Sequence, residues 1–339
     1  MALNRFQSRL PQTGQRSCHD SDGLIIDCAN SGQDAEYSVG IQWPDNRFRV
    51  CGELVEDRLT DLTWTRCANP AGFPLDWQEA LDYVAEMNQQ QALGFDDWRM
   101  PNRRELRSLI SHQTLRPPLP LDHPFTDVFG NWYWTSTTAA VAPDHAWYIS
   151  LDGGRMFFGG KDQSFMLWPV RGRANDRVLQ TGQNVCHDAL GRVRPCAGSG
   201  ADAEYPSGAS WPKPRFQTVS DGVQDLLSGL VWHSDADIGE GPVSWQQALR
   251  SIHELRTATG ESAWRLPNIN ELESLVDCSR GQPALPDQHP FQAVRDVYWS
   301  ATTSLYEPDW AWALYLDKGA VGVGMKRFAR FHAWAVRVC

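Results

Sequence analysis

No stretch of the 339-residue chain approaches the roughly 18 consecutive apolar residues of a membrane-spanning helix, so membrane insertion is not expected. Basic charge is scarce as well. Lys and Arg number 31 against 41 Asp and Glu, and the resulting net charge of -10 argues against nucleic acid as a partner. The two-residue Cys spacings that hold structural zinc are missing, which argues against a metal centre of that kind. The first residues, Met1-Ala2-Leu3-Asn4-Arg5-Phe6, have no apolar core and carry no export signal of their own.

What the chain does have is an internal repeat. Gln12-Thr13-Gly14-Gln15 returns as Gln180-Thr181-Gly182-Gln183, Asp34-Ala35-Glu36-Tyr37 as Asp202-Ala203-Glu204-Tyr205, and Trp43-Pro44 as Trp211-Pro212, an offset of 168 residues. The offset drifts to about 166 at Trp98-Arg99 and Trp264-Arg265, stays there for His123-Pro124-Phe125 and His289-Pro290-Phe291, and the match closes at Val170-Arg171 and Val336-Arg337. Two domains are therefore expected, 1–172 and 173–339, each long enough to bury its own core. Sixteen Trp residues should lie mostly in those cores.

Each copy reads as strands, then two helices, then strands, an α+β order. Asp76 with Glu79 and Ser244 with Gln247 form capping boxes ahead of apolar residues at helical spacing, namely Trp77, Ala80, Leu81 and Val84, and Trp245, Ala248, Leu249 and Ile252. A second helix begins at Asn102 or Asn268, directly after Pro101 or Pro267, and carries Glu105 or Glu271 three residues on. Alternating runs at 146–151, 312–316 and 335–338 read as strands of a small antiparallel sheet.

Eight cysteines leave on the order of a hundred pairings open, and the repeat narrows them. Cys18 and Cys28 recur as Cys186 and Cys196, with the same spacing. Cys51 and Cys67 face Val219 and Asp235, while Cys278 and Cys339 face His112 and Arg173, so these four are present or absent in twos. The expected bonds are 18 to 28, 51 to 67, 186 to 196 and 278 to 339. Disulfides persist in oxidising compartments, so the chain is expected in the periplasm, at the cell surface or outside the cell, with its leader removed or replaced by Met1.

Several residues carry a family resemblance. Leu62-Thr63-Trp64, Trp77, Glu79-Ala80-Leu81, Trp98-Arg99-Met100-Pro101-Asn102, Glu105-Leu106, Tyr133-Trp134-Thr135-Ser136-Thr137-Thr138 and Val170-Arg171 resemble the Lcl C-terminal domain family. Leu230-Val231-Trp232, Trp264-Arg265-Leu266-Pro267-Asn268, Glu271-Leu272, Tyr298-Trp299-Ser300-Ala301-Thr302-Thr303 and Val336-Arg337 repeat the pattern more closely. The resemblance implies two tandem C-type-lectin-like domains, each with two helices on small antiparallel sheets, related to the formylglycine-generating-enzyme class. It also implies an exported bacterial protein with a role in adhesion or ligand binding.

The shared motif residues read as scaffold, with Arg99 and Arg265 set on buried carbonyls or a carboxylate. Binding surfaces are expected where the copies diverge: 139–145 and 155–168 in the first, 304–310 and 318–332 in the second. The candidates are His145, Arg155, Lys161 and Trp168, then Tyr306 and Trp310 for stacking, and Lys318, Lys326, Arg327 and Arg330 as a basic run for sulfate or carboxylate. That run also has the composition of a solvated face. Asp20-Ser21-Asp22-Gly23 resembles a calcium loop but lacks the downstream EF-hand pattern, and the second copy reads Asp188-Ala189-Leu190-Gly191, so a turn is expected and no cofactor. His123 and His289, each before Pro-Phe, have no consistent nucleophile or carboxylate nearby and read as structural. The expectation is a non-enzymatic protein that binds a glycan or a cell-surface protein. The alternatives are a homo-oligomeric subunit of a surface filament or envelope complex, and a formylglycine-generating-type enzyme.

Overall fold

The computed structural model describes residues 8–260 and 263–338. It is a mixed α and β structure of few helices and several small antiparallel sheets. By packing, the chain divides into two compact units: residues 43–210 with 277–280, and residues 8–42 with 211–276 and 281–338. The division expected from the repeat, 1–172 and 173–339, is therefore not the division by packing. In each unit the body of one copy is completed by the leading segment of the other.

In the unit of residues 43–210, strands Phe48–Cys51, Leu54–Asp57 and Leu62–Thr65 form an antiparallel meander. Val170–Arg171 lies against Thr63 and Trp64 on one side and against Trp98 and Arg99 on the other. A second set of strands, Trp132–Thr138, His145–Ser150 and Met156–Gly160, is also antiparallel. Helix Trp77–Gln89 buries Trp77, Ala80, Leu81 and Val84, the stripe its spacing predicts, and Met87 besides. The other unit repeats the plan with Phe216–Val219, Gly222–Asp225, Leu230–Trp232 and Val336–Val338, then Val297–Thr303, Trp310–Tyr315 and Ala320–Met325. Its helix Trp245–Thr259 buries Trp245, Ala248, Leu249 and Ile252.

The four helix starts read from sequence each carry a capping box. Glu105 serves twice, accepting from the Asn102 backbone N–H at 2.9 Å and pairing with the Arg99 guanidinium at 2.5 and 2.6 Å. Glu271 does the same for Asn268 and Arg265. The Trp-Arg motif is thus a buried fork that joins a strand to the next helix start. Eleven of the sixteen Trp side chains are fully buried, and seven of their indole N–H groups donate to backbone carbonyls, as when Trp77 donates to Thr135 and Trp245 to Ser300, whereas those of Trp64, Trp147 and Trp232 have no hydrogen-bond partner among the described residues. Those bonds lower the polar cost of filling these cores with indoles.

Each leading segment begins with a disulfide-closed hairpin. Cys18–His19 pairs with Ile25–Ile26 and Cys186–His187 with Val193–Arg194, closed by the bonds Cys18–Cys28 and Cys186–Cys196. Replacing both Cys186 and Cys196 by Ser is expected to lower stability by about 2–3 kcal/mol, the value for a loop of roughly ten residues. Urea melts that coincide for the variant and the parent would refute that estimate.

The expected bond between Cys51 and Cys67 is absent; both are free thiols. Cys51 lies opposite Leu54, and Leu54 lies opposite Thr65, two residues before Cys67, so a whole strand separates Cys51 from the strand that leads to Cys67. Two strand spacings amount to about 9–10 Å, beyond the roughly 7 Å between Cα atoms that a disulfide tolerates. Of the last expected bond, Cys278 is buried with its N–H on the Thr181 carbonyl, and Cys339 lies outside the described residues. So does the start, Met1 to Phe6. No helix among the described residues is long and apolar enough to cross a membrane.

Candidate functional site

Three of the residues expected to contact a ligand are interior. Trp168 is fully buried, donates to the Thr65 carbonyl at 3.0 Å and packs edge-on against Phe125. Lys161 is 1% exposed; its Nζ donates to Thr138 Oγ1 and to the Pro143 and Asp188 carbonyls at 3.0–3.1 Å and sits 4.1 Å from the Trp77 ring centre. Lys326 is its counterpart, 0% exposed, donating to the His19 and Asp20 carbonyls at 3.0 and 3.1 Å and lying 4.2 Å from the Trp245 ring centre. Burial pushes the two ammonium groups down, to about 8 for Lys161 and about 7 for Lys326. Each lysine clamps the hairpin of a leading segment to a body, so neither belongs to a surface run.

The remaining candidates stay at the surface, several with a neighbour of their own. Lys318 Nζ is 3.8 Å from Asp317, Arg327 is 4.0 Å from Asp309, and the Arg330 guanidinium lies 5.3 Å from the Phe328 ring centre. His145 Nδ1 is 2.8 Å from Asp144. Tyr306 is exposed, and Trp310 and Arg155 are half-buried. In the calcium-like loop, Asp20 Oδ1 accepts from the Asp22 and Leu24 N–H groups at 2.9 Å, which closes the hairpin turn. Asp188 does the same for Leu190 and Arg192. No cluster of three or more His, Cys, Asp or Glu positioned for a metal occurs among the described residues. His123 and His289 stack on Phe125 and Phe291, and burial pushes both imidazoles down.

The Asp-Ala-Glu-Tyr repeat has a role that the sequence reading did not assign. Asp34 is buried; its Oδ2 accepts from Thr13 Oγ1 at 2.8 Å and from Thr302 Oγ1 at 2.7 Å, and burial pushes its carboxyl up to about 6. Asp202 accepts from Thr137 Oγ1 at 2.6 Å and is likewise pushed up to about 6 by burial. The Thr-Thr motif of each body is therefore the socket for a buried aspartate on the leading segment. Glu36 and Glu204 shape the turns just before, Glu36 accepting from the Asn30 and Gly32 N–H groups and Glu204 from those of Gly198 and Gly200.

Gly32, at φ +74°, lies so close to helix Trp245–Thr259 that a Cβ there would sit 3.3 Å from Leu249. Beside this contact opens a cleft of about 360 Å³. Leu249, Ile252 and Leu266 give it an apolar side, while Arg250, His253, Arg256, Tyr37 and Asn30 supply polar groups. Arg256 donates to the Tyr37 hydroxyl at 3.1 Å. Arg250 and His253 are exposed and have no side-chain partner among the described residues. At the matching positions of helix Trp77–Gln89 stand Asp82, Ala85 and Asn88. That exchange of charge was the available sequence signal, and it lies on a helix face outside the divergent loops.

A concave polar surface present in one unit and altered in the other suits selective binding. Among known families, the Lcl C-terminal domain matches twice, over residues 53–171 and 221–337. No curated protein matches the chain.

Proposed function

Since the chain belongs to the Lcl C-terminal domain family, with two matched stretches that together cover more than half its length, we propose that it is a non-enzymatic binding protein of C-type-lectin-like architecture. It acts outside the cytoplasm and recognises a glycan or a surface protein. The observation that carries this reading is one scaffold built twice with the same buried forks, sockets and clamps, while the exposed helix positions Asp82 and Ala85 change to Arg250 and His253. Residues kept for folding recur in both copies, whereas a surface selected for a ligand is free to differ. The two hairpin disulfides support an oxidising compartment.

The test is a glycan array together with a pull-down from surface extracts, both with the folded, oxidised chain. Saturable retention of a defined glycan or protein is the expected result. Silence in both experiments overturns the proposal.

A further inference from the structure

We propose that the cleft between the turn at Asn30–Gly32 and helix Trp245–Thr259 binds a carboxylate-bearing sugar, one ring in size, through Arg250 and Arg256. The inference rests on the binding reading above and names the ligand class of one of its surfaces.

Size sets the first limit. A volume of about 360 Å³ is near the lower end of the roughly 300–1,000 Å³ typical of small-molecule sites, which suits a single ring and excludes a long oligosaccharide from lying wholly inside. Charge sets the second. In a chain of net charge -10, this cleft gathers Arg250, Arg256 and Arg265. Arg265 is committed to Glu271. Glu36, the acidic side chain in the lining, has its oxygens on the Asn30 and Gly32 N–H groups at 3.1 and 2.7 Å. Those bonds come from neutral amides and leave the charge of Glu36 in place, so Arg250 and Arg256 give the lining a modest positive excess for an incoming anion.

Geometry distinguishes their parts. Arg256 is oriented by the Tyr37 hydroxyl, which takes one of its Nη1 protons and leaves the rest of the fork for a ligand. Arg250 is six residues earlier on the same helix, exposed and without a partner among the described residues. A planar carboxylate matches the two parallel N–H donors of one guanidinium, while the second, set about 9 Å along the helix axis by the rise per residue, adds positive potential to the same lining. Leu249 and Ile252 offer a surface for the C–H face of a sugar, and Asn30 and Gln246 offer amide groups for its hydroxyls. In the other unit the corresponding helix carries Asp82, which would repel the same carboxylate, and Asn88, whose amide is committed to the Trp98 backbone at 2.7 and 2.8 Å.

The test is calorimetric titration of the full chain with D-galacturonate, D-galactose and sodium sulfate. Galacturonate is expected to bind saturably at one site per chain, with galactose and sulfate at least tenfold weaker. Arg250→Gln, on an exposed side chain, is expected to weaken galacturonate at least tenfold with no change in the melting curve. Asp82→Asn, in the other unit, is expected to leave the affinity unchanged. Galactose or sulfate binding as tightly as galacturonate overturns the inference, as does equal affinity in Arg250→Gln. If galacturonate is silent while an array or pull-down finds a ligand, this inference fails and the binding function stands. Silence in all of them removes both.

Discussion

Deletion of residues 1–42 is expected to unfold the body formed by 211–276 and 281–338 while the unit of residues 43–210 keeps its protection against hydrogen exchange. The deleted segment supplies Asp34 to Thr302 and the Gln15 amide, which both donates to the Thr303 carbonyl at 2.7 Å and accepts from its N–H at 2.9 Å. It also supplies the His19 and Asp20 carbonyls that hold the buried Lys326 ammonium. Breaking one partner of a buried charged contact typically costs about 3–5 kcal/mol, and each further orphaned polar group adds about 1–3 kcal/mol. Those losses together reach the whole of an ordinary domain stability, about 5–15 kcal/mol. The effect is confined to one unit because the other is completed by residues 174–210, which the deletion leaves in place. Uniform loss of protection across both units, or none in either, would show that the exchanged segments are not what completes each body.

That arrangement was the least legible part of the fold, for a definite reason. Thr13, Gln15 and Asp34 recur as Thr181, Gln183 and Asp202, and Thr302 and Thr303 correspond to Thr137 and Thr138. Either leading segment therefore offers either body the same donors and acceptors, and nothing in the residue pattern chooses between packing at home and packing across. What depends on neighbours close in sequence was legible. The four capping boxes, the buried helix stripes and the two hairpin disulfides all follow from residues within a dozen positions of one another. Lys161 and Lys326 were misplaced because lysine in a variable loop is ordinarily solvated. Their acceptors come from residues far along the chain, and the available hint was that a lysine recurs there in both copies. Pairing Cys51 with Cys67 failed similarly: two cysteines absent together in the other copy need not touch, and the hairpin register holds them a strand apart.

Asp34→Asn is expected to make its unit more stable than the parent at pH 7–8, with the advantage shrinking to nothing near pH 4. The aspartate carboxyl is raised from 3.8 to about 6 by burial, only partly offset by the hydrogen bonds from Thr302 and Thr13. A folded-state pKa above the unfolded value means that the native protein binds the proton more tightly. The stability this confers is complete below about pH 4 and is lost as the pH rises through about 6. Above that, holding the carboxylate charged in the interior costs on the order of 2–3 kcal/mol relative to the neutral acid. Asparagine keeps an oxygen where Thr13 and Thr302 donate and carries no charge, so it recovers much of that cost, by about 1–3 kcal/mol at neutral pH. Asp34→Ala removes the acceptor as well and leaves two buried hydroxyls unpaired, so it is expected to destabilise by about 1–3 kcal/mol. Local hydrogen exchange in strand Val297–Thr303, followed from pH 4 to 8 for the three proteins, separates these outcomes. A difference between Asn and Asp that stays constant across that range would mean that Asp34 does not titrate inside its socket, and the reading of the Thr-Thr motif as a seat for a buried acid would fall with it.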